Sequence, residues 1–107
     1  MEPAYAVTWH EGARPVYAGR LELGPSFFRF EGSGPRGRLL SQLLYFRDLA
    51  AVRIGRAPEE RIAGRPAIVI ERRSGPPVHV ATLGGPGTLQ ELASLIRRKC
   101  FAFPAGE

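Results

Sequence analysis

Apolar and polar residues alternate in short runs over most of the chain and take up helical spacing only once, near the end. Ala4–His10 (AYAVTWH) sets Tyr5, Val7 and Trp9 against Ala4, Ala6 and Thr8, the two-residue period of a β-strand. Val16–Leu23 alternates again, with Tyr17, Gly19, Leu21 and Leu23 on one face and Arg20 and Glu22 on the other. Gly24-Pro25-Ser26 has hairpin length, and Phe27–Glu31 returns with Phe28 pointing opposite to Phe27, Arg29 and Glu31. Leu39–Phe46, Ala51–Ile54 (with Val52 and Ile54 inward), Ala67–Arg73 and Val78–Leu83 complete a set of six or seven antiparallel strands. Arg47-Asp48-Leu49 reads as a turn and Gly55–Arg65 as an exposed loop.

The period changes in Thr88–Cys100. Leu89, Leu92, Ala93, Ile96 and Cys100 form one stripe, with Gln90, Glu91, Ser94, Arg97 and Arg98 on the other side. Thr88 with Glu91 three residues on has the form of a capping box, so the pattern predicts a helix over about 88–100. Glu91 and the Arg97-Arg98-Lys99 run suit the two ends of its dipole. A lone amphipathic helix behind a row of strands must lay its stripe on the sheet. The tail 101–107 is expected to be irregular, and nothing in 1–107 divides it into more than one domain.

The hairpin VYAGRLELGPSFFRF, the segment LLYFRDLAAVRIGR, the strand pair RPAIVIERRSGPPVHVATL and the helix TLQELASLIRRK resemble the pleckstrin-homology-like superfold, in its small bacterial, GRAM-like form. Tyr45, Asp48-Leu49 and Val52–Ile54 follow its middle segment, and the likeness runs from about Val16 to Lys99. It implies a mainly β fold, a barrel or sandwich of about seven antiparallel strands capped by the C-terminal helix. The superfold hosts lipid binding, peptide binding and structural roles alike, so it implies a binding module rather than an enzyme. Its phosphoinositide-binding members carry a Lys late in the first strand and an Arg-x-Arg pair in the second. Here the corresponding loop, His10–Pro15, is flanked by Arg14 and Arg20, and the nearest Arg-x-Arg is Arg36-Gly37-Arg38 in the next loop region.

Composition narrows the function classes. The 44% hydrophobic content fits a folded domain, no run is long enough to cross a bilayer, and the first residues do not form a signal peptide, so a cytoplasmic protein is expected. Cys100 is the single cysteine, which rules out an internal disulfide or a cysteine metal cluster. The net charge is +5, with 15 basic residues scattered among ten carboxylates, the pattern of a solvated surface.

No catalytic, metal or cofactor site is expected. His10 and His79 lack a nucleophile, a third ligand or a carboxylate on the same face. Cys100 closes the apolar stripe and reads as a small buried hydrophobe. Gly84-Gly85-Pro86-Gly87 lacks the Lys-Ser/Thr of a phosphate loop, and Pro86 removes a donor. Two modes of binding remain. A partner protein, or a second copy of the chain, would add to the sheet edge beside the helix. Alternatively, Arg14, Arg36 and Arg38 would gather in the inter-strand loops and touch an anionic lipid headgroup or nucleic acid. Phe27 and Arg29 are the one aromatic–basic pairing on an outer strand face, set among Trp9, Phe101 and Phe103 as candidate stacking aromatics.

Overall fold

The structure is a computed structural model that describes residues 4–101. Seven antiparallel strands form one sheet: β1 (Ala4–Glu11), β2 (Tyr17–Leu23), β3 (Phe27–Ser33), β4 (Leu39–Tyr45), β5 (Leu49–Gly55), β6 (Ala67–Arg72) and β7 (Val78–Thr82). The order across the sheet is β4-β3-β2-β1-β7-β6-β5. Two meanders, β1 to β4 and β5 to β7, are thus joined where the first strand of one pairs with the last strand of the other. The joint sets Trp9 opposite Val80 and His10 opposite His79. The sheet curls into a half-barrel, and α1 (Pro86–Phe101) closes its concave side.

Alternation decides which face is buried. Val7, Trp9, Leu21, Leu23, Phe28, Phe30, Ile68, Ile70, Val78 and Val80 turn inward and meet Leu89, Leu92, Ala93 and Ile96 of α1 in one apolar core. Trp9, expected as a candidate stacking aromatic, is instead fully buried, sandwiched between Phe30, with ring centroids 4.8 Å apart, and Tyr17 at 5.7 Å. The helical stripe is therefore core, as its spacing predicts.

Gly19 and Gly32 face each other across β2 and β3. A Cβ on either would fall on the backbone of the opposite strand, at Glu31 or at Ala18. Only glycine permits this close approach, which goes with the bend of the first meander.

Three elements differ from the sequence reading. The helix begins at Pro86, and the Thr88 N–H donates to the Gly85 carbonyl at 3.0 Å, so Thr88 lies inside the first turn rather than capping it. Proline suits this position because a first-turn N–H has no helical acceptor to lose. Glu91, freed from a capping box, accepts a hydrogen bond from the Tyr5 hydroxyl at 2.6 Å. Leu49 is buried at the start of β5, because the turn is made one residue earlier by Phe46–Asp48. The Gly55–Arg65 segment is not wholly exposed: Ile62 is buried against Ala67 and Ala81 on the outer side of the sheet. That cover explains why Ala67–Ile70 is buried on both faces. Phe103 and the tail 102–107 lie outside the described residues.

Candidate interaction edges and basic cavities

The half-barrel leaves two strands, β4 and β5, at the ends of the sheet, each hydrogen-bonded to one neighbour. Arg97 on α1 donates from Nε to the Val52 carbonyl of β5 at 3.0 Å, which shows that Val52 turns its backbone groups off the edge. Those groups alternate along a strand, so Ile54 faces the same way. Beyond it, Arg53, Ile54, Arg56, Gln90, Ser94 and Arg97 line a groove of about 390 Å³ between β5 and α1. Ile54, Arg56 and Gln90 also line an adjoining cavity of about 330 Å³, completed by Arg65, Pro66, Thr82, Leu89 and the Gly84-Gly85 turn.

Charge along this groove is not balanced. Arg53 lies 2.5 Å from Glu60 and 3.9 Å from Glu71. The bond from Arg53 holds the Glu60 carboxyl below its usual range. Among the described residues Arg56 and Arg65 have no carboxylate at ion-pair distance. Arg65 donates from Nη1 to the Thr82 carbonyl, at 3.5 Å, and Thr82 is itself buried. The N-terminus of α1, the positive end of its dipole, abuts the same cavity. No Asp or Glu stands among the residues that line this cavity.

The β4 edge differs in kind. Leu39, Leu43 and Tyr45 stand exposed on it, and Tyr45 meets Phe27 of β3 edge-on, with centroids 6.1 Å apart. Arg47 lies over the Tyr45 ring at 5.4 Å. Phe27 is thus on the outer face, as expected. Arg29 is engaged by carboxylates: Nη2 is 2.9 Å from Glu22 and Nε 3.8 Å from Glu31. Its bond holds the Glu22 carboxyl below the usual range.

Of the three loop arginines, the structure brings two together. Arg14 and Arg38 line one cavity of about 470 Å³ with Trp9, Tyr17 and Gln42. Arg36 sits on the neighbouring turn with a left-handed φ of 60° and does not line it. Glu11 also lines this cavity; it is bonded by Arg72 and lies 4.0 Å from Arg14, which offsets part of the positive charge.

The histidines stack on one another, with ring centroids 4.6 Å apart, on the outer face of β1 and β7. Cys100 is half-buried with Sγ 3.7 Å from the Phe46 carbonyl, and burial pushes its thiol up, away from the reactive thiolate. Among the described residues no group of three or more His, Cys, Asp or Glu lies together as metal ligands. No helix among them is long and apolar enough to cross a membrane.

Sequence reasoning did not single out Arg56 and Arg65, because the segment that carries them reads as an open loop and their neighbours come from α1. The bare β4 edge had a signal in LLSQLLY, an uncharged run between Arg38 and Arg47. No protein-family model matches the chain, and no curated protein matches it.

Proposed function

We propose that the chain is a non-catalytic, pleckstrin-homology-like binding module of the cytoplasm that takes an extended, carboxylate-bearing segment of a partner protein along β5, beside α1. The observation that carries this reading is the continuity of the β5–α1 groove with the Arg56/Arg65 cavity through Ile54, Arg56 and Gln90. An added strand draws affinity from backbone hydrogen bonds and selectivity from the pockets it meets. Ile54 offers its backbone groups on the open edge, and a partner strand that displaced Arg97 from the Val52 carbonyl would gain one more acceptor. Arg56 and Arg65, with no counter-charge among the described residues, select acidic side chains. A non-catalytic role is supported by the pairing of the two histidines with each other and by the raised thiol of Cys100.

A random peptide library presented to the protein tests this reading. Acidic segments with alternating apolar residues should be enriched, and Arg56→Glu with Arg65→Glu should weaken their binding by about tenfold or more. Enrichment without acidic bias, or binding indifferent to both reversals, would overturn it.

The shared cavity of Arg14 and Arg38 supports a second reading, weak contact with an anionic lipid headgroup or nucleic acid. Binding to anionic vesicles or mixed DNA should then appear at low salt and fade near physiological salt, because Glu11 offsets the charge. An Arg14/Arg36/Arg38→Ala variant should abolish it. Tight binding that survives physiological salt and is lost in that variant would place the function at this end instead.

A further inference from the structure

Sheet edges are open templates for pairing, and proteins that stay apart block them with charge, proline, bulges or covering segments. β5 carries two such devices in part, the charge of Arg53 and Arg97 on the Val52 carbonyl, and leaves only the stretch at Ile54 open. β4 carries no such device. Its residues, LLSQLLY, include neither a charge nor a proline. Three of the five large apolar side chains left exposed among the described residues are its Leu39 at 82%, Leu43 at 43% and Tyr45 at 43%.

The backbone says which groups are open. Phe46 donates its N–H to the Ser26 carbonyl at 3.1 Å, continuing the β3 ladder from the even-numbered side of the strand. Leu40, Gln42 and Leu44 therefore bond to β3, while Leu39, Ser41, Leu43 and Tyr45 turn their N–H and C=O groups outward. Side chains alternate with the same period, so these four also stand on the outer face.

We infer that a second copy of this chain pairs with β4, antiparallel about a two-fold axis at Gln42, and joins the two sheets edge to edge. This site is separate from β5 and does not depend on it. The pairing sets Leu39 opposite Tyr45 and Ser41 opposite Leu43, so every outward donor meets an outward acceptor. Leu39 covers the Tyr45–Phe27 aromatic pair of the second copy. The pattern is its own complement: read outward from Gln42, Leu40 mirrors Leu44. The flanking charges select the direction. Parallel pairing would set Arg36, Arg38 and Arg47 each against its own copy, whereas antiparallel pairing brings Arg36 towards Asp48 and leaves Arg38 and Arg47 as one like-charged diagonal. A two-fold contact uses up the edge on both copies and closes at a dimer.

Sedimentation of the full chain from micromolar to millimolar concentration tests the inference. A reversible monomer–dimer equilibrium is expected. Ser41→Pro removes an outward donor without touching the β3 ladder, and Leu43→Lys places a charge on the edge. Each should raise the dissociation constant by about tenfold or more, while Val16→Lys, at an exposed apolar residue off this edge, leaves it unchanged. Hydrogen exchange on the unmodified protein covers the event that a variant fails to fold: the Ser41 and Leu43 amides should exchange more slowly in the dimer than on dilution. A monomer throughout the range, assembly that grows past a dimer, a dimer indifferent to both edge variants, or equal exchange at those amides would each overturn the pairing.

Discussion

His10 and His79 stand directly opposite on β1 and β7, their rings within 8° of parallel and 4.6 Å apart. The His10 ring donates from Nδ1 to the Gly12 carbonyl at 2.8 Å, while the His79 Nδ1 is buried without a partner among the described residues. Burial first, and then the facing His10, push the His79 pKa below its ordinary 6.5, with Arg53 adding to the effect and Glu60 opposing it.

That arrangement makes stability depend on pH. A histidine whose pKa is depressed on folding binds fewer protons in the native state than in the unfolded chain, so stability rises with pH through that window. The urea midpoint should be level above about 6.5, the ordinary histidine value, and fall as the pH drops below it. His79→Gln should flatten that slope. A midpoint that rises on acidification would contradict the lowered pKa of the half-buried His79.

The Tyr5–Glu91 hydrogen bond ties β1 to the first turns of α1. Desolvation, helped by the bond to Glu91 and its charge, pushes the Tyr5 hydroxyl up to about 12. Ultraviolet titration should show a tyrosine step near 12, above the ordinary tyrosine value of 10.0. Glu91→Gln should bring that step down, and Tyr5→Phe should remove it. Folded-state stability should decline as the pH rises from the unfolded tyrosine value towards 12, because only the unfolded chain then ionises freely.

Leu92 is fully buried in the core that α1 shares with the sheet. Leu92→Ala should cost about 2–5 kcal/mol in chemical denaturation. A loss under about 0.5 kcal/mol, the scale of surface changes, would show that the helix is not docked as described.

Gly19→Ala and Gly32→Ala test the close approach of β2 and β3. Each methyl would meet backbone rather than a movable side chain. Each should therefore cost about 1–3 kcal/mol or more, as overpacking does. Gly87→Ala, inside α1 at a site where a Cβ meets nothing within 4 Å, serves as the tolerant control.

The sequence alone was enough to identify the elements. Alternation in AYAVTWH or AIVIERR is a property of neighbouring residues and reports a strand wherever it ends up, and the Leu89–Ile96 stripe reports a helix for the same reason. Alternation also set the parity of strands with one buried face, such as Val16–Leu23, but not of Ala67–Ile70, which is buried on both faces, and it did not tell that Trp9 is core. What needed the tertiary structure was everything set by pairing between distant segments. That β1 lies between β2 and β7, that His10 meets His79, and that Arg14 joins Arg38 while Arg36 does not, follow from sheet order and loop path rather than local period. The start of α1 at Pro86, and the burial of Ile62 in a segment rich in charge, were decided in the same way. For Ile62 the physical reason is the apolar surface of Ala67 and Ala81, which belong to strands that no local pattern connects with it.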